Sequence, residues 1–163
     1  MLTLQLPTLD DTTALGAAAA ARLPADAALF VMELGGELGA GKTSFARALL
    51  QALGVSSPVR SPSFALMEHY DVAGWQVLHL DLYRLTDPRE LEQLGLRDYD
   101  SGHSLWLIEW ADNGRGYLPP CDLRLTFTAG AESGSAAAAH GVAIEPRTPA
   151  GESWLALLVS DLG

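Results

Sequence analysis

The eight residues Gly36-Glu37-Leu38-Gly39-Ala40-Gly41-Lys42-Thr43 constrain this chain more than any other stretch. They satisfy the spacing G-x-x-x-x-G-K-[ST] and sit between two apolar patterns. Before them runs Ala28 to Leu34, short and nearly continuously apolar, as a strand buried on both faces requires. After them Phe45, Ala48, Leu49, Ala52 and Leu53 recur at helical spacing, with Gly54 placed to end the helix. Strand, glycine loop and helix predict an α/β fold: a P-loop NTPase-like three-layer sandwich on a mostly parallel central sheet.

The motif residues have chemical reasons. Glycines let the backbone turn tightly and aim N–H groups at an anion that side chains would keep away. The helix N-terminus adds unpaired donors and a partial positive charge. Lys42 is the only lysine, while the other nine basic residues are arginines. A single ammonium threads a tight loop where a rigid planar guanidinium does not, so this one position is spared from arginine. Gly36, Gly39, Ala40, Gly41, Lys42, Thr43 and Ser44 are therefore the expected phosphate-binding residues. Lys42 reaches the β- and γ-phosphates, and Thr43 offers its hydroxyl to Mg²⁺. As a surface-loop residue, Lys42 is expected to contribute little to folding. Guanine-specific relatives of this loop use N-K-x-D, for which no second lysine exists, so ATP is the expected nucleotide. Asp71-Val72-Ala73-Gly74 matches a loose GTPase D-x-x-G but reads as a hairpin turn.

The length of 163 residues suits one domain. With 48% hydrophobic residues the chain is globular, and no apolar run is long enough to span a membrane. The start, "MLTLQLPTLDD", has no basic n-region or apolar h-region, so a cytoplasmic protein is expected. The net charge of -10 argues against a broad nucleic-acid-binding face but not against one nucleotide site. Cys121 is alone, which excludes an internal disulfide; after "LPP" it reads as an incidental loop thiol.

Elsewhere, Thr8 and Asp11 form an expected capping box for a helix carrying Leu15, Ala18, Ala19 and Leu23. The segment from Ser61 to Leu85 reads as two strands joined at "DVAG". Asp87, Pro88 and Glu90 start a helix that ends near Gly95. Ser104 to Trp110 is a buried strand, "DLRLTFT" and "HGVAIEP" a hairpin pair, and the C-terminus a helix. The hairpin is joined by a low-complexity stretch near residues 129–140, expected to be a flexible connection.

Mg-ATP chemistry needs a carboxylate near the metal. Asp81 closes "QVLHLD" and Glu109 closes "SLWLIE", so both lie at strand C-termini, where ligands gather if the strands are parallel. Each is equally readable as a capping or salt-bridge carboxylate. Ser63, in Ser61-Pro62-Ser63-Phe64, supplies a hydroxyl to a loop that either senses the γ-phosphate or is a proline turn entering a strand. His79 shares a strand face with Val77 and Asp81 and reads as a core or near-site histidine. The four tryptophans read as core or interface residues.

"GELGAGKTSF", "SPSFALMEHY", "HLDLYRLTDPRELEQLGLRDY" and "LIEWADNGRGYLP" together resemble the TsaE (YjeE) family of small bacterial P-loop ATPases. The resemblance runs from the first helix to about Pro120. It implies ATP binding with Mg²⁺ and slow hydrolysis in support of N6-threonylcarbamoyladenosine formation in tRNA. It also implies docking on a complex of TsaD and TsaB, with the tRNA held mainly by those partners. By position it implies that Gly39 to Ser44 bind phosphates, that Thr43 and Glu109 hold Mg²⁺, and that Asp81 is a Walker B-like acid serving the metal or a water. Lys42, Asp81 and Glu109 thus become the catalytic candidates. Trp110 falls near the nucleotide or partner surface, and Thr12 near the base. Ser63 stands where the family often has threonine, which keeps the hydroxyl and loses a methyl that restricts its rotamer. The alternative is a small-molecule kinase whose lid carries Arg84 and Arg89. A nucleotide-gated binding module is a third reading.

Overall fold

A computed structural model describes residues 1–130 and 140–162. In chain order the strands are β1 (Leu2–Gln5), β2 (Leu29–Gly35), β3 (Met67–Val72), β4 (Trp75–Asp81), β5 (Ser104–Glu109), β6 (Leu123–Thr128) and β7 (Gly141–Pro146). The α-helices are α1 (Leu9–Ala20), α2 (Lys42–Leu53) and α3 (Pro149–Leu162), and three 3₁₀ segments cover Pro88–Leu94, Leu96–Tyr99 and Ala111–Gly114. The expected connection near residues 129–140 lies, at 131–139, outside the described residues.

All seven strands join one sheet in the order β1-β7-β6-β2-β5-β4-β3. The four central strands, β6, β2, β5 and β4, are mutually parallel. The margins are antiparallel: β3 pairs with β4, and the β6–β7 hairpin is extended by β1. The parallel sheet expected from the sequence is thus the interior of a mixed one. β1 was not anticipated; four residues of half-buried edge carry too little pattern to stand out.

Period-two alternation sorts the side chains onto two faces. Phe30, Met32 and Leu34 of β2, with Leu105 and Leu107 of β5, face α1, α2 and α3 and pack with Leu15, Phe45, Leu49 and Trp154. Val31, Leu78, Leu80, Trp106 and Ile108 face the other way, onto Leu91 and Leu96 of the 3₁₀ segments. The sandwich therefore has α-helices on one side and tighter turns on the other. The predicted helix after Asp87 is 3₁₀, with Asp87 accepting from the Arg89 N–H as N-cap and Gly95 left-handed at the end.

Local signals elsewhere were accurate. Thr8 and Asp11 form the reciprocal capping box. The β3–β4 turn places Ala73 and Gly74 both at positive φ, the handedness a two-residue hairpin favours, so the D-x-x-G match is a turn. On α2 the buried positions are Phe45, Ala46, Ala48, Leu49 and Leu50, while Ala52 is exposed. α1 lies closely against Ala48 and Leu49 of this face. A Cβ on Gly16 would come 2.5 Å from the Ala48 Cβ and 2.9 Å from the Leu49 nitrogen.

Replacing Gly16 by alanine adds helix propensity worth about 1 kcal/mol, yet forces the two helices apart. Overpacking of that kind costs about 1–3 kcal/mol, so Gly16→Ala is expected to lower the urea midpoint in spite of its better propensity.

Candidate functional site

β2 ends at Gly35, and the chain turns through Gly36–Gly41 before α2 begins. Gly36, Gly39 and Gly41 have φ of 122°, 75° and 114°. At Gly36 the handedness is joined by a close approach, since a Cβ would lie 2.3 Å from the Phe127 carbonyl oxygen; at Gly39 nothing lies within 4 Å. Gly41 is the N-cap of α2 and supplies no side-chain cap. The Phe45 N–H bonds back to the Gly41 carbonyl at 3.0 Å. The N–H groups of Lys42, Thr43 and Ser44, one turn earlier, have no carbonyl within the helix to bond. Uncapped donors at the positive end of a helix dipole attract an anion.

Lys42 is not the exposed loop residue expected from its position. It is 4% exposed. Its Nζ donates to the Gly36 and Glu37 carbonyls at 2.6 Å each and stands 4.5 Å from the Trp110 ring centroid. Burial pushes its pKa below the ordinary lysine value, while the Glu109 and Asp81 charges act in the opposite direction.

Two carboxylates face this loop because of strand register. Glu109 of β5 sits beside Leu34 of β2 on one side and Asp81 of β4 on the other. All three strands run the same way, so both acids emerge at the sheet edge from which the loop springs. Both are buried. The Thr43 hydroxyl donates to Glu109 Oε1 at 2.8 Å, and His79 Nε2 lies 2.7 Å from Glu109 Oε2. Asp81 accepts from the Tyr83 N–H at 3.0 Å and from the Ser61 hydroxyl. Among the described residues neither acid pairs with an arginine, and the basic side chain bonded to Glu109 is His79.

A cleft of about 370 Å³ gathers Gly39, Gly41, Lys42, Thr43, Ser44, Ser63, Asp81, Glu109 and Trp110. Trp110 leaves β5 in a left-handed conformation and its ring packs against Tyr83, with centroids 4.9 Å apart. Thr12 and Ala40 lie instead on a neighbouring cleft of about 260 Å³ that shares Gly39, Gly41 and Ser44. Gly36 borders a third, smaller hollow with Trp110. The main cleft also takes Ser61 and Tyr83, which were not among the site candidates, and Arg84, the first lid candidate. Ser61 was legible as part of the S-P-S-F loop, and Tyr83 and Arg84 as the continuation of the strand ending in Asp81. The second lid candidate, Arg89, turns to Asp87 at 2.7 Å and does not line the cleft. Burial pushes the Cys121 thiol up to about 12, which disfavours the thiolate form that a nucleophile needs.

The family model described as "Threonylcarbamoyl adenosine biosynthesis protein TsaE" matches residues 6–137. The chain belongs to the TsaE family. A TsaE protein named for tRNA threonylcarbamoyladenosine biosynthesis from Haemophilus influenzae is 50% identical over 90 residues, 55% of this chain and 57% of that protein. The Bacillus subtilis TsaE is 38% identical over 97 residues, 60% of each chain. That of Aquifex aeolicus is 38% identical over 99 residues, 58% of this chain and 65% of the relative. The matched stretch thus spans about three-fifths of these TsaE relatives. The crystal structure of Bacillus subtilis YdiB superposes with a TM-score of 0.78 at 24% identity, covering 99% of this chain and 96% of that one, which fixes the fold as shared.

The loop glycines separate by environment. Gly39→Ala meets only the left-handed backbone penalty, about 1–2 kcal/mol. Gly36→Ala must also displace the Phe127 carbonyl and is expected to cost about 2–5 kcal/mol in all. Thermal melts without added ligand should rank wild type, Gly39→Ala and Gly36→Ala in descending order.

Proposed function

We propose that this TsaE-family chain binds ATP with Mg²⁺ at the main cleft and hydrolyses it slowly, supporting repeated rounds of N6-threonylcarbamoyladenosine formation in tRNA. The observation that carries this reading is the uncapped start of α2, closed by a buried ammonium and faced by two buried carboxylates. The N–H groups of Lys42, Thr43 and Ser44, with Gly39 and Gly41 contributing no side chain, receive the phosphates. Lys42 exchanges its two loop carbonyls for phosphate oxygens. Thr12, on the adjoining cleft, is placed for the base.

The donors fit Mg²⁺. Thr43 and Glu109, with Asp81 beside them, offer hard oxygens only. Among the described residues no group of three or more His, Cys, Asp or Glu forms a cage. That suits a cation bound by one or two protein groups and completed by phosphate and water. When bound, the metal neutralises charge on the phosphates. Thr43 and Glu109 would hold it. Asp81, fixed by Ser61 and the Tyr83 N–H, orients the attacking water, and Ser63 orders the loop beside it. Lys42 stabilises negative charge at the phosphates.

TsaD- and TsaB-type proteins are the proposed partners, and the -10 charge favours tRNA held mainly by them. Among the described residues no helix is long and apolar enough to cross a membrane, and a cytoplasmic site of action is proposed. A kinase lid would need Arg84 and Arg89 together over the cleft, and only Arg84 is there.

Lys42→Ala is expected to lower ATP turnover by about 10²–10³-fold, as loss of one preorganised donor does. The far-ultraviolet spectrum should be unchanged. An undiminished rate removes the site assignment. Affinity that depends on the Lys42 ammonium is full at neutral pH and declines as the pH rises through its depressed pKa, hence earlier than for an ordinary lysine near about 10.4. Calorimetry of ATP binding should show that alkaline loss in wild type and none in Lys42→Ala. With TsaD, TsaB and tRNA, Asp81→Ala and Glu109→Ala are expected to abolish hydrolysis and multiple-turnover modification together. Modification that survives without hydrolysis favours the nucleotide-gated module.

A further inference from the structure

His79 is completely buried on β4, on the same sheet face as Asp81 and two residues before it. Its Nε2 lies 2.7 Å from Glu109 Oε2, and its Nδ1 has no hydrogen-bond partner among the described residues. A buried ring nitrogen without a partner is tolerated best as a lone pair, because an orphaned N–H donor costs more than an under-used acceptor. Hydrogen bonding therefore selects the tautomer whose proton sits on Nε2 and is donated to Glu109. The two oxygens of Glu109 are thereby divided. Oε2 points down into the sheet, onto His79; Oε1 points up to Thr43 and the cleft.

We propose that His79 is the positioning residue of Glu109, holding the inner oxygen so that the outer one is presented with Thr43 to the metal of bound Mg-ATP. The proposal rests on the nucleotide reading above. A carboxylate at the end of a strand can rotate about its terminal bond. One strong anchor from beneath removes that freedom without entering the cleft. His79 is not among the residues lining the cleft, so its effect on nucleotide passes through Glu109. Groups that orient a metal-binding carboxylate in this way commonly change metal affinity or activity by about 10–100-fold when removed. The register explains why histidine suits the position. β4 and β5 are parallel, and His79 is level with Leu107, two residues short of Glu109. The gap between those levels is bridged by a side chain that reaches forward along the sheet and ends in a donor.

The test is calorimetry of ATP binding to the full chain, once in EDTA and once with Mg²⁺, on wild type, His79→Leu, His79→Gln and His79→Asn. Leucine keeps bulk and removes the donor. Glutamine places an amide N–H near the Nε2 position, and asparagine is too short. Wild type is expected to bind more tightly with Mg²⁺. His79→Leu should bind ATP in EDTA as wild type does, while the gain on adding Mg²⁺ shrinks by about 10–100-fold. His79→Gln should recover most of the gain and His79→Asn should not. A merely structural role would lower the melting temperature and leave the Mg²⁺ gain intact. An unchanged gain in His79→Leu, or a glutamine variant no better than leucine, overturns the assignment. So does a wild type that binds ATP equally with and without Mg²⁺. If His79→Leu fails to fold, the contrast between glutamine and asparagine decides in the same sense. Should wild type bind no ATP under either condition, the nucleotide reading falls first and the positioning role with it.

Discussion

An α-helix that starts without a side-chain cap exposes several N–H groups with nothing to bond to, and the start of α2 is such a place. The surroundings follow from that one deficit. Glycines at 36, 39 and 41 hold the backbone in left-handed turns that keep the donors open. The remaining site groups converge on the same point from two neighbouring strands. Even the lysine is arranged around it: its ammonium donates to the Gly36 and Glu37 carbonyls.

Sheet polarity supplies the rest. With β2, β5 and β4 parallel and side by side, their C-terminal ends form one rim, and Glu109 and Asp81 stand on it at matched levels. The antiparallel margins do not disturb this rim. They close the sheet at each side, β3 through a two-residue turn and β7 with β1 beyond the site. Burial then sharpens the electrostatics. Glu109 and Asp81 are buried and lack arginine partners, so their compensation comes from short hydrogen bonds to Thr43, His79, Ser61 and the Tyr83 backbone. The hydrogen bonds hold both acids oriented toward the cleft.

The sequence reading went wrong where a residue's surroundings, and not its neighbours in the chain, decide its state. Lys42 reads as a surface-loop residue, yet it opens α2, its ammonium is held by the loop carbonyls of Gly36 and Glu37, and Trp110 closes the side. Ala52 continues the apolar spacing of α2 and is nonetheless exposed in its last turn, while Ala46 and Leu50 are buried. Thr12, expected near the base, borders a separate cleft that adjoins the main one.

By itself the sequence determined the strand–loop–helix unit, the caps at Thr8 and Asp87 and the hairpin turn at Ala73-Gly74, and it named the loop glycines, the lysine and the two acids as candidates. These are local properties: handedness, capping and period act between residues a few positions apart, so they are written in consecutive letters. Only the tertiary structure decided that Glu109 meets Thr43 and His79, that Ser61 meets Asp81, and that Arg84 faces the cleft while Arg89 does not. Those contacts join residues separated by 20 to 66 positions in the case of the hydrogen bonds. They depend on strand order and register, which long-range packing sets and no short stretch of sequence encodes.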